Sequence, residues 1–78
     1  MVCTLERVTD RSGAAVSDVE GVGQTGVLTY GKGVPFMFSI MGAEEKVITS
    51  KNIEFVYKCA VKGKVTLMTK ELIYIFTK

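Results

Sequence analysis

Gly26-Val27-Leu28-Thr29-Tyr30-Gly31-Lys32-Gly33 comes within one position of Gly-x-x-x-x-Gly-Lys-Ser/Thr, the loop whose backbone amides cradle nucleotide phosphates. Gly33 stands where the magnesium-holding hydroxyl belongs, and Pro35 blocks the helix that such a loop must open. The same letters fit a hairpin turning on Gly31-Lys32-Gly33. Just upstream, Gly21-Val22-Gly23-Gln24-Thr25-Gly26 satisfies Gly-x-Gly-x-x-Gly literally, the pattern that brings pyrophosphate to a helix mouth. Its context is wrong for that chemistry. Ser17-Asp18-Val19-Glu20 is no buried strand and the residues after Gly26 are strand-like, so the glycines read as a flexible or bulged approach to a strand.

Acid-base and nucleophilic chemistry is poorly equipped. The chain has no histidine, which removes Cys-His and Ser-His-Asp catalysis and imidazole metal ligands. Cys3 and Cys59 form no Cys-x-x-Cys pair and cannot build a zinc site within one chain. Both sit in apolar alternations and read as reduced, partly buried thiols of a cytoplasmic protein rather than as a disulfide framework. Asp18, Glu20, Glu44 and Glu45 lie in polar turns, where solvated carboxylates with ordinary proton affinities are expected. Tyr30, Tyr57 and Tyr74 read as core or rim aromatics. The expectation is a non-enzyme with no cofactor and no metal.

Charge is the feature that points to a partner. Residues 1–45 carry three basic and six acidic side chains, a balance of −3; residues 46–78 carry seven basic and two acidic, a balance of +5. Lys51, Lys58, Lys62, Lys64 and Lys70 in that second half can follow a phosphate backbone, with bases stacking on nearby rings. The half contains no arginine, so binding of this kind would be weak, salt-sensitive and indifferent to sequence. The alternative role for these lysines is to keep sheet edges soluble and block strand addition.

The elements that must position these groups are strands. Apolar and polar residues alternate from Val2 to Val8, with Cys3 and Leu5 on one face. Thr9 to Gly13 reads as a polar turn, and Ala14 to Val19 as either a helical turn opened by Ser12 or a loose connection. Val27 to Tyr30 is strand-like; Val34 to Met41 is a stronger strand, with Val34, Phe36, Phe38 and Ile40 sharing a face and Pro35 marking its start. After a turn over Gly42-Ala43-Glu44-Glu45, strands are expected at Lys46 to Thr49, Ile53 to Cys59, Lys64 to Met68 and Leu72 to Thr77.

The last part of the chain nearly repeats itself. Residues 48–57 line up with residues 67–76, so that Ile53, Phe55 and Tyr57 match Leu72, Tyr74 and Phe76 as an apolar-aromatic core row. Val56, Ile73 and Ile75 fall on the opposite face, which is too apolar for a solvated sheet surface and needs a cover. A short helix from the Ala14 region, the curl of a barrel or a second subunit would supply one. Two copies are too few for a solenoid.

Size sets the frame. A chain of 78 residues, 47% of them hydrophobic, makes one domain spanning residues 1–78 and gains burial by self-association. No apolar run approaches the roughly 18 residues of a membrane span, and Glu6 and Arg7 interrupt what would be a secretory signal. These observations predict an all-β, SH3-like or related small barrel of about six or seven short strands with at most one short helix. Its expected role is that of a cytoplasmic interaction module forming a homodimer through Val56, Ile73 and Ile75, with weak nucleic-acid binding as the alternative. The stretch from Lys64 to Ile75 resembles the strand-turn-strand phrase of bacterial pleckstrin-homology-like and GRAM domains, where a Thr-based turn joins two strands. The likeness covers that stretch alone and implies a hairpin there, without a function.

Overall fold

A computed structural model describes residues 1–17, 19–42 and 46–78 of the chain. Seven strands are present: β1 (Val2–Asp10), β2 (Thr25–Thr29), β3 (Met37–Ile40), β4 (Lys46–Thr49), β5 (Phe55–Cys59), β6 (Lys64–Met68) and β7 (Leu72–Thr77). They form one antiparallel sheet in the order β4-β3-β2-β1-β7-β6-β5, and no helix occurs among the described residues. The fold is therefore all-β, with strands close to where alternation places them. β1 runs on through Thr9 and Asp10, which read as a turn, and β3 takes up only Met37–Ile40 of the expected Val34 to Met41, leaving Val34 half exposed instead of in the core row. The expected turn beyond Gly42 lies outside the described residues, as do the carboxylates of Asp18, Glu44 and Glu45.

This sheet cannot be flat. Six spacings of about 4.8 Å would put its two edges roughly 29 Å apart, yet β4 and β5, the edge strands, are joined by residues 50–54 alone. The six Cα steps from Thr49 to Phe55 reach at most about 21 Å even when fully extended. Curling brings the edges together and the rings across the interior: Phe36, just before β3, meets Tyr74 and Phe76 of β7 edge-on at 4.8 and 5.4 Å, and Phe38 meets Phe76 at 5.3 Å. Cys3, Leu5, Val8, Leu28, Val65 and Leu67 complete the core.

The curl stops short of a hydrogen-bonded barrel, because the sheet order ends at β4 and β5 without a ladder between them. Residues 50–54 cross this seam instead. Ile53 exchanges backbone hydrogen bonds with the segment before β3, its N–H donating to the Val34 carbonyl at 2.9 Å and its carbonyl accepting from Gly33 at 2.8 Å. Ser50 Oγ accepts from the Phe36 N–H at 3.1 Å. The Ile53 side chain is fully buried and closes the core beneath the crossing.

The segment from Ala14 to Val19 resolves as a loose connection rather than a helical turn over its described residues. Ala15 bridges Thr9, and the Val16 N–H donates to the Val8 carbonyl at 3.0 Å, so the chain folds back along β1 where β2 no longer pairs with it. Its turn is held by Asp10, whose Oδ1 accepts from the Ser12 hydroxyl and from the Ser12 and Ala14 amides. The dinucleotide-like glycines are spent on backbone geometry: Gly21 and Gly23 turn at positive φ, and Gly26 sits buried inside β2 against β3.

Candidate protein-binding face and basic cleft

The hairpin joining β5 to β6 decides which side chains meet the core. Gly63, at φ +62°, takes a left-handed conformation that other residues adopt at a cost, and the turn fixes Cys59 opposite Lys64. Partners in an antiparallel ladder share a face. Val56, Leu67 and Tyr74 consequently form one inward row, while Phe55, Met68 and Ile73 form an outward row and Tyr57, Thr66 and Ile75 another. Arg7 extends the second of these from β1.

Two sequence expectations are corrected here. Phe55 and Tyr57 are not core residues, being 54% and 67% exposed, and Val56 packs against the core instead of sharing the outer face with Ile73 and Ile75. The near-repeat has an offset of 19 residues, an odd number, whereas Val56 and Tyr74, which share a face, are 18 apart. Copying the β7 phase onto β5 therefore inverts it. Ile53 belongs to the seam crossing, so its burial does not continue into the alternation of β5.

The resulting outer face gathers Phe55, Tyr57, Met68, Ile73 and Ile75 on three adjacent strands. Among the described residues, the charges around it are engaged, Arg7 excepted. Lys64 lies 3.2 Å from Glu6, which also accepts from the Thr77 hydroxyl at 2.7 Å, and Arg11 lies 3.9 Å from Glu54. At this exposure such pairs stabilise little, and Arg7 leaves the face a net positive charge.

The five candidate lysines do not make one patch. Lys51 pairs with Glu71 at 3.7 Å and Lys70 lies in the turn that ends β6, whereas Lys58, Lys62 and Lys64 lie at the hairpin that begins it. At the hairpin end a cleft of about 360 Å³ is lined by Met1, Tyr30, Lys58, Cys59, Lys64 and Lys78, among others. The Lys58 ammonium sits 5.5 Å from the centre of the Tyr30 ring, within cation–π range. Tyr30 and Lys78 were not legible as partners of Lys58, since only the curl brings the end of β2 beside β5. A second cleft, of about 300 Å³, lies at the seam; its Lys51 and Glu71 pair with each other, and its Thr69 hydroxyl hydrogen-bonds to the Leu72 backbone.

Two carboxyls are held below their usual range. Glu6 is stabilised as the anion first by the Thr77 hydroxyl and then by Lys64; Asp10 by the Ser12 hydroxyl and then by the Ala14 amide. A folded-state pKa below the unfolded value gives stability that is complete above the unfolded value, near 4, and lost as pH falls through the folded one. The urea midpoint is therefore expected to stay level from about pH 7 to 5 and to fall below about pH 4. Glu6→Gln with Asp10→Asn should flatten that decline. An unchanged acid limb in the double variant would show that these contacts do not couple to folding.

No protein-family model matches the chain, and neither a curated protein nor a solved structure shows significant similarity to it. Among the described residues, no three cysteine or carboxylate side chains converge as metal ligands, and no helix is long and apolar enough to cross a membrane.

Proposed function

We propose that this chain is a non-catalytic binding module that pairs with a second copy of itself through the outer face of β5, β6 and β7. The observation that carries the reading is the exposure of Phe55 and Tyr57 beside Met68, Ile73 and Ile75 on one sheet surface. Exposed aromatics clustered with aliphatic side chains are the composition of interface centres, where truncating one anchor typically costs about 2 kcal/mol or more.

A second copy suits this face for physical reasons. Lys64 and Arg11 beside the face are paired with Glu6 and Glu54, so like-charge repulsion between two identical surfaces is confined to Arg7. Phe55 and Tyr57 stand on β5, the last strand of the sheet, so a second copy can lay its own aromatic rows against this face without disturbing the seam. A domain of this size also leaves about 40% of its unfolded surface in water and gains by association. Two free cysteines, one of them buried, are compatible with a reducing compartment, and we take the pairing to be a cytoplasmic one.

Light scattering tests it. The wild-type chain should give twice its 8.5 kDa mass. Ile73→Glu should give the single mass with an unchanged far-UV spectrum, weakening association by about thirtyfold or more, as loss of a 2 kcal/mol anchor requires. A well-folded wild-type monomer at tens of micromolar would end the proposal.

A further inference from the structure

The cleft at the β5–β6 hairpin has a chemistry that the dimer face does not use. Lys58, Lys64 and Lys78 line it, and no lining side chain is acidic. Lys64 has Glu6 as its partner, outside the lining, whereas no carboxylate among the described residues is within ion-pair distance of Lys58 or Lys78. Lys58 is held over the Tyr30 ring, which fixes its ammonium without neutralising it. The hairpin is itself anchored, because the Lys78 N–H donates to the Gly63 carbonyl at 2.8 Å and so ties the end of β7 to the turn. At about 360 Å³ the cleft falls within the range of small-ligand sites, roughly 300–1,000 Å³.

We infer that this cleft binds phosphate groups, with Lys58 and Lys78 supplying the charge and Tyr30 forming the wall. Lysines from separate parts of the sheet, lining a concave surface without a competing acidic side chain, suit a multiply charged oxyanion better than a carboxylate ligand or a cation. Two sources offer that chemistry: a free nucleotide or polyphosphate, and the backbone of a single strand of nucleic acid. The inference is independent of self-association, since Tyr30, Lys58 and Lys78 are not part of the proposed dimer face.

Titration of the full chain with sodium pyrophosphate at low salt, followed by amide NMR shifts, locates the site. Shifts are expected at Tyr30, at residues 58–64 and at Lys78, together with protection of Cys59 from iodoacetamide. Cys3, 2% exposed and with its thiol pKa raised by burial, should stay unlabelled throughout and serve as the internal control. Lys58→Gln and Lys78→Gln should each weaken binding about tenfold, the loss of one charge-assisted contact, while Lys51→Gln and Lys70→Gln leave it unchanged. An oligothymidylate arm separates the sources: binding tighter than pyrophosphate and steeply salt-dependent assigns a strand, and equal or weaker binding assigns a free phosphate compound. Absence of any shift at low salt overturns the site. So does equal weakening by Lys51→Gln and Lys58→Gln, which would mean diffuse attraction. Repeating the titration on Ile73→Glu keeps failure of the cleft distinct from failure of the dimer.

Discussion

Phe76→Ala should strip the domain of about 3–5 kcal/mol of stability. Phe76 is fully buried at the centre of the curled sheet and is the ring that both Phe36 and Phe38 meet edge-on. Its ladder partners, Leu5 on β1 and Val65 on β6, also face the core, so β1 and β6 cannot close over the space it vacates without breaking their registers with β7. Removing a buried phenyl ring costs about 3–5 kcal/mol, cavity included, while a domain of this length is stabilised by roughly 4–12 kcal/mol in all. The variant thus loses between about a quarter and the whole of its stability. Urea denaturation supplies the check, as a large fall in midpoint at unchanged slope. Phe55→Ala, compared in the monomeric Ile73→Glu background so that loss of pairing does not enter, is the control, expected within about 0.5–1 kcal/mol because that ring points outward; equal losses at the two positions would refute the assigned phase of β5.

Gly26→Ala adds one methyl group and is expected to cost about 3 kcal/mol, the upper end of the overpacking range. Propensity alone predicts the opposite sign, since alanine is better than glycine inside a strand by roughly 0.5–1 kcal/mol. Sterics outweigh it. A Cβ at this position would overlap the Ser39 carbonyl oxygen and stand 2.9 Å from the Ser39 carbonyl carbon and 3.0 Å from Ile40 Cα. These are backbone atoms of the paired strand, so no rotamer change relieves the clash, and the β2–β3 ladder between Gly26–Ile40 and Val27–Ser39 must open. Accelerated amide exchange confined first to β2, β3 and β4 would locate the damage. A variant as stable as the wild type would show that the strands do not approach this closely.

The existence and order of the strands were legible because each rests on local alternation, whereas the end of β1 and the start of β3 were not, being set by pairing with neighbouring strands. Cys3, Leu5, Phe38, Leu67, Tyr74 and Phe76 all face the core as their spacing demands. The faces of β5 were not legible, because they depend on a register set across the hairpin and on a seam residue, Ile53, that is buried without belonging to a strand. Thr9 shows the same limit: it lies on the outward side of β1, opposite Ile73, yet is 3% exposed where the chain folds back through Ala15. Of the candidate site residues, Ile73 and Ile75 share the outer face, and Lys58 and Lys64 share the cleft. The separation of Lys51 and Lys70 from them follows from lying at opposite ends of β6, a distance that composition does not record.

The place of β7 in the sheet governs how the chain can be assembled on a ribosome. β7 is the last strand in sequence, yet it lies between β1, the first, and β6. During synthesis the β1–β4 meander and the β5–β6 hairpin emerge as two separate pieces, and the long side of β1 waits with its amides and carbonyls unpaired until residues 72–77 leave the exit tunnel. Joining such distant segments is slow, and exposed strand margins invite pairing with the wrong chain. Nascent chains halted before Leu72 should consequently be the species most in need of a chaperone.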